Sequence, residues 1–98
     1  MAIAVVAHAQ DTRPWEYAAS DKALNETYRQ LQSRLNPADQ IKLRDAQRLW
    51  LTFRDADCAV TSGVVGDCAM ERTDQRTEQL RSTYYTDKTG GAFSLDAG

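Results

Sequence analysis

What this chain lacks narrows it quickly. It has no basic excess: its 98 residues carry 12 Lys and Arg against 14 Asp and Glu, a formal charge of −2. No surplus of cations is available for phosphates, which argues against nucleic acid as the main partner. Histidine is nearly absent, with His8 alone in the N-terminal stretch. No run is apolar enough over enough residues to span a membrane. Internal repeats, glycine-rich phosphate loops and basic runs are missing as well. Without His8 and with both cysteines oxidised, acid–base work would fall to carboxylates such as Asp55 and Asp57. On a helix these lie about 160° apart, because each residue turns ~100°, so they do not converge. No nucleophile has an evident base beside it. The chain reads as a non-enzyme with no cofactor.

Only two cysteines are present, Cys58 and Cys68, and their fate depends on the compartment. The N-terminus reads MAIAVVAHA before Gln10. Small apolar residues leading to Ala7-His8-Ala9 match a signal-peptidase cleavage pattern. Residues 1–9 are therefore read as the remnant of a signal peptide whose start lies upstream, the alternative being an accidental Ala-rich N-terminus. Export to the periplasm or beyond favours a Cys58–Cys68 disulfide. A metal site is the rival use of the two cysteines, and it would need two further ligands.

The prolines are two, Pro14 and Pro37, and each opens a helical pattern. Asp11, Thr12, Pro14 and Glu16 mark a first helix running to about Leu35. Its stripe is Tyr17, Leu24, Tyr28, Leu31 and Leu35, and a kink near Ala19-Ser20 would divide it. Asn36 caps a second helix, with Pro37 at its first position and Asp39 in its first turn. That helix runs to about Val60 and is apolar over more than half its circumference. Such a helix usually touches two neighbours, which predicts the central helix of the bundle. The short Asn36-Pro37 corner favours antiparallel packing.

Gln47, Arg54 and Asp57 fall inside that apolar arc, beside Trp50. Buried polar groups must find partners. Arg54 is placed to pair with Asp57 three residues on, with Asp21 as a partner across the helices. The cluster is either a structural network or a recognition site. Two glycines in Thr61-Ser-Gly-Val-Val-Gly66 mark a turn. Val64 and Val65 there either fold onto the core or form an exposed contact tip. A third helix is predicted from Asp67 to Tyr84, with Ala69, Met70, Thr73, Thr77, Leu80 and Tyr84 inward. Arg76 borders that face, within reach of Asp57 or Asp21, and Glu71, Arg72, Gln75, Glu78 and Gln79 form a solvated face. The expectation is an all-α domain over residues 10–85, a small antiparallel bundle of three helices, or four with the kink, stapled by one disulfide. Residues 86–98 are expected to be a disordered tail.

Several pieces in this order resemble the LprI-like family, named after a lysozyme inhibitor. They are Leu24-Asn25 with Tyr28, Gln47 with Trp50, Arg54-Asp55-Ala56 with Cys58, then Cys68 and Arg76. The resemblance spans roughly Trp15 to Ser82. It implies a small exported helical protein of the bacterial envelope, a disulfide between the positions of Cys58 and Cys68, and a role in binding lysozyme. It also makes Asn25, Tyr28, Gln47, Trp50, Arg54, Asp55 and Arg76 signature positions. The segment between the cysteines is shorter than many members have, and no lipid-attachment cysteine follows the signal. Partner contacts are expected from Arg44, Arg48, Val64 and Val65. The alternative is an accessory envelope protein with another protein partner.

Overall fold

The computed structural model describes residues 12–97; residues 1–9, expected to be a signal-peptide remnant, lie outside them. Three helices account for most of the chain: α1 (Arg13–Arg34), α2 (Pro37–Cys58) and α3 (Val65–Ser82). A short antiparallel hairpin follows, β1 (Tyr85–Thr86) with β2 (Ala92–Phe93). The all-α expectation holds, with three helices rather than four, because α1 continues through Ala19-Ser20 without a break.

Local chemistry explains where the helices begin. Thr12 precedes α1, with Pro14 in the first turn and Glu16 on its positive end. At α2 the Asn36 side chain accepts from the Asp39 N–H at 2.9 Å and donates to the Asp39 carboxylate at 2.9 Å. The corner is latched by two glutamines. Gln32 donates to the Gln40 carbonyl and Gln40 to the Leu35 carbonyl, both at 2.9 Å.

Helix α1 packs mainly on α3, and the two run parallel. The Tyr17 hydroxyl, early in α1, donates to Asp67, early in α3, at 2.6 Å. That bond to a carboxylate raises the Tyr17 pKa. A side chain on Gly66 would meet the Tyr17 ring at 2.7 Å, so glycine there lets the helices approach. Leu24, Leu31, Leu35, Leu43, Leu80 and Phe93 form the core cluster, with Tyr28, Trp50, Tyr85 and Leu95 packed against it. Thr73, buried on α3, satisfies its hydroxyl on the Ala69 carbonyl at 2.7 Å.

Two expectations are corrected here. The second helix is not the buried centre of the bundle. It contributes only Leu43 and Cys58 to the buried set, while Leu49 is 72% and Phe53 63% exposed, and Val60 in the turn just beyond it is 83% exposed. Because α1 and α3 pack directly on each other, α2 lies outside that pair and turns one side of its apolar arc to solvent. Nor is the segment after Thr86 a disordered tail. Phe93 is 5% and Ser94 2% exposed, Arg81 donates to Asp96 at 2.9 Å, and Leu35 bridges to Asp87. Strands of two residues leave no periodicity to read, and one phenylalanine anchors them.

The hairpin turn is organised by Asp87, whose carboxylate accepts from the Thr89 hydroxyl at 2.7 Å and from the Thr89 and Gly91 N–H groups at 2.9 Å. Gly90 supplies the positive φ of 88°. The Thr89 hydroxyl first, then the two N–H groups, hold the Asp87 pKa below its ordinary value. A folded-state pKa below the unfolded one stabilises fully above the unfolded value, and the contribution is lost as pH falls through the folded value. The Thr89 and Gly91 amide resonances are therefore expected to keep their positions at neutral pH and to shift only below the ordinary aspartate range. Asp87→Asn should remove that titration in an NMR pH series.

Candidate protein-binding surface

The polar residues around Trp50 tie α2 to α3 in antiparallel register. Gln47 accepts from Arg76 Nε at 3.0 Å, Thr73 from Arg54 at 3.2 Å, and Asp57 from Arg72 Nε at 3.2 Å. The sequence brought the right residues to this face but paired them differently. Arg54 meets Asp55 at 2.8 Å, not Asp57. Asp57 takes Arg72, which was expected on the solvated face. Arg76 bonds Gln47 and Gln79 instead of Asp57 or Asp21. The cause is geometric: α3 crosses close enough for Arg72 and Arg76 to reach α2. A wheel drawn for one helix cannot show that. The signal available was spacing, since Arg72 and Arg76 lie one turn apart and meet Asp57 and Gln47, about three turns apart on α2, through long side chains.

Trp50 is flanked by two guanidinium groups, Arg54 at 5.5 Å and Arg76 at 5.8 Å from its ring centre. Both distances fall within cation–π range. Burial lowers the Arg76 pKa, while the charge remains. A groove of about 310 Å³ opens here, lined by Trp50, Phe53, Arg72, Gln75, Arg76 and Gln79. Arg72 also borders a second groove, with Val64 and Thr61 on its walls. The other signature residues face elsewhere. Asn25, Tyr28, Gln47 and Arg54 line a groove of about 430 Å³ between α1 and α2, and Asp55 is exposed.

The expected contact residues do not form one patch. Val64 and Val65 are exposed, so the tip stands in solvent rather than folding onto the core. Arg44 and Arg48 are also exposed, and Arg44 meets Asp45 at 3.2 Å. Arg48 lies nine residues before Asp57, half a circumference away at ~100° per residue, on the side of α2 facing away from α3. The sequence also missed Leu49 and Phe53 as surface residues. With Ala56 they repeat at helical spacing and form an apolar stripe in solvent, which Val60 continues in the turn after α2.

Cys58 and Cys68 are bonded to each other, with Cα atoms 5.7 Å apart. Among the described residues no group of His, Cys, Asp or Glu is placed to hold a metal. No helix among them is long and apolar enough to cross a membrane.

No curated protein and no solved structure matches the chain significantly. A family model described as lysozyme inhibitor LprI matches residues 7–80, which takes in the first two helices, all but the last two residues of α3, and the disulfide. On that match, which covers most of the chain, this chain belongs to the LprI family of lysozyme inhibitors.

Proposed function

We propose that this chain is an exported protein-binding module that inhibits lysozyme. The family match carries the reading. The surface supports it: an apolar stripe of Leu49, Phe53 and Val60 stands in solvent beside grooves lined with arginine. Apolar side chains grouped in this way on a small protein mark interaction surfaces. The net charge of −2 adds weak steering toward a basic partner. Val64 and Val65 at the tip and Arg44 and Arg48 on α2 are the candidate contacts. Cys58 and Cys68 hold the tip in place.

A lysozyme cell-wall clearing assay tests this. Titration of the oxidised chain is expected to give saturable inhibition, lost in the Cys58→Ser/Cys68→Ser variant. Val64→Asp and Arg48→Glu are expected to weaken it. Full inhibition by both would remove those contacts from the assignment. No inhibition of several lysozymes at high micromolar concentration would leave an accessory envelope protein with a different protein partner.

A further inference from the structure

Of the three arginines around Trp50, Arg76 alone has no carboxylate partner among the described residues. Arg54 pairs with Asp55, and Arg72 with Asp57 and Glu71. Arg76 donates instead to two neutral amides, Gln47 at 3.0 Å and Gln79 at 2.6 Å. It is half-buried against Trp50. A guanidinium taken partly out of water gains most from a carboxylate, which it can bind through two parallel N–H groups. Amides satisfy the hydrogen bonds and leave the charge unbalanced. The fold could have placed an acid at position 79 at no cost in volume, since glutamate and glutamine have nearly the same shape.

The groove around Arg76 is built to receive something. Gln75 and Gln79 line it from α3, Arg72 adds a second cation, and Phe53, 63% exposed, joins it to the apolar stripe. An unbalanced arginine charge between two aromatic rings and a rim of polar side chains is an arrangement found at protein interfaces, where aromatic residues and arginine contribute strongly.

We infer that the Trp50–Arg76 groove receives a carboxylate side chain of the protein partner, with Phe53 and Leu49 packing around it. This rests on the reading above for the partner's identity. A lysozyme fits the chemistry, because glycosidases of this kind carry a pair of carboxylates in an open cleft. Arg76 is then the residue that meets the partner, and Gln47 and Gln79 hold its guanidinium in position.

Gln79→Glu supplies the carboxylate from within the chain. The variant is expected to keep or raise its melting temperature and to lose binding by at least about tenfold, since a like charge now faces the incoming acid. A purely structural Arg76 would show the gain in stability without the loss. Gln30→Glu, on the exposed side of α1, makes the same change in net charge and should bind as the unmodified chain does. Two probes separate the outcomes. With lysozyme in a calorimeter, equal affinity of the unmodified chain and Gln79→Glu would overturn the inference while leaving lysozyme binding intact. With a hexaglutamate peptide followed by NMR, the Arg76 Nε–H and Trp50 indole signals are expected to shift saturably, and not in Gln79→Glu. Shifts with hexaglutamate but no binding of lysozyme would uphold the groove and remove lysozyme as its partner. Unmoved signals, or equal shifts in both proteins, would overturn it.

Discussion

Phe93→Ala is expected to cost about 3–5 kcal/mol, the usual range for removing a buried phenylalanine. The reasoning starts from its position. Phe93 is 5% exposed and belongs to the same cluster as Leu24, Leu31, Leu35 and Leu80. Tyr85 lies 6.1 Å away ring to ring, and the Arg34 guanidinium covers the ring at 4.2 Å. Truncation leaves a cavity that these neighbours fill only in part, and it strips Arg34 of its aromatic contact. Domains of this size are stable by only about 5–15 kcal/mol, so the change removes much of the total. Urea unfolding should show a sharply lower midpoint, and the melting temperature should fall by more than about 10 °C. A midpoint close to that of the unmodified chain would mean that the hairpin contributes nothing to the core.

The second large effect is the Cys58→Ser/Cys68→Ser variant. The bond closes a loop with a sequence separation of 10. Loop-closure entropy assigns about 2–3 kcal/mol to such a bond. The melting temperature is expected to drop on the order of 10–20 °C. Cys58 is fully buried, so its serine hydroxyl must also find a partner there. Adding reductant to the unmodified chain should reproduce most of the drop. A smaller loss under reductant than in the serine variant would measure the buried hydroxyl's share.

The parts of this structure that were legible in the sequence are those fixed by local rules. Pro14, Asn36 and Pro37 placed the helix starts within a residue or two, because capping and proline geometry act over one turn. Leu24, Leu31 and Leu80 were found by spacing. The errors share a different cause. A wide apolar arc on α2 suggested burial, yet whether Leu49 and Phe53 are covered depends on where α1 and α3 sit. Asp57, Arg76 and Gln47 fell near the right face and Arg72 was placed on the solvated one, because their pairing depends on how high α3 stands against α2. Phe93 carried no signal, since two-residue strands are shorter than any period. Composition had marked residues 86–98 as a tail. One buried ring outweighs that bias.

Helices α1 and α3 pack directly although the whole of α2 lies between them in the chain. The bond from Tyr17 to Asp67 spans 50 residues. Neither α1 nor α3 has an apolar face complete enough to be stable alone, and most helical stability in proteins comes from tertiary packing of such a face. Closing so long a loop must come before the contacts that reward it. The first helix therefore waits for the third, and the core waits for Phe93 near the end of the chain. Such a polypeptide is expected to gain its packing in one cooperative step, once nearly all of it is present, and single-exponential refolding would check this.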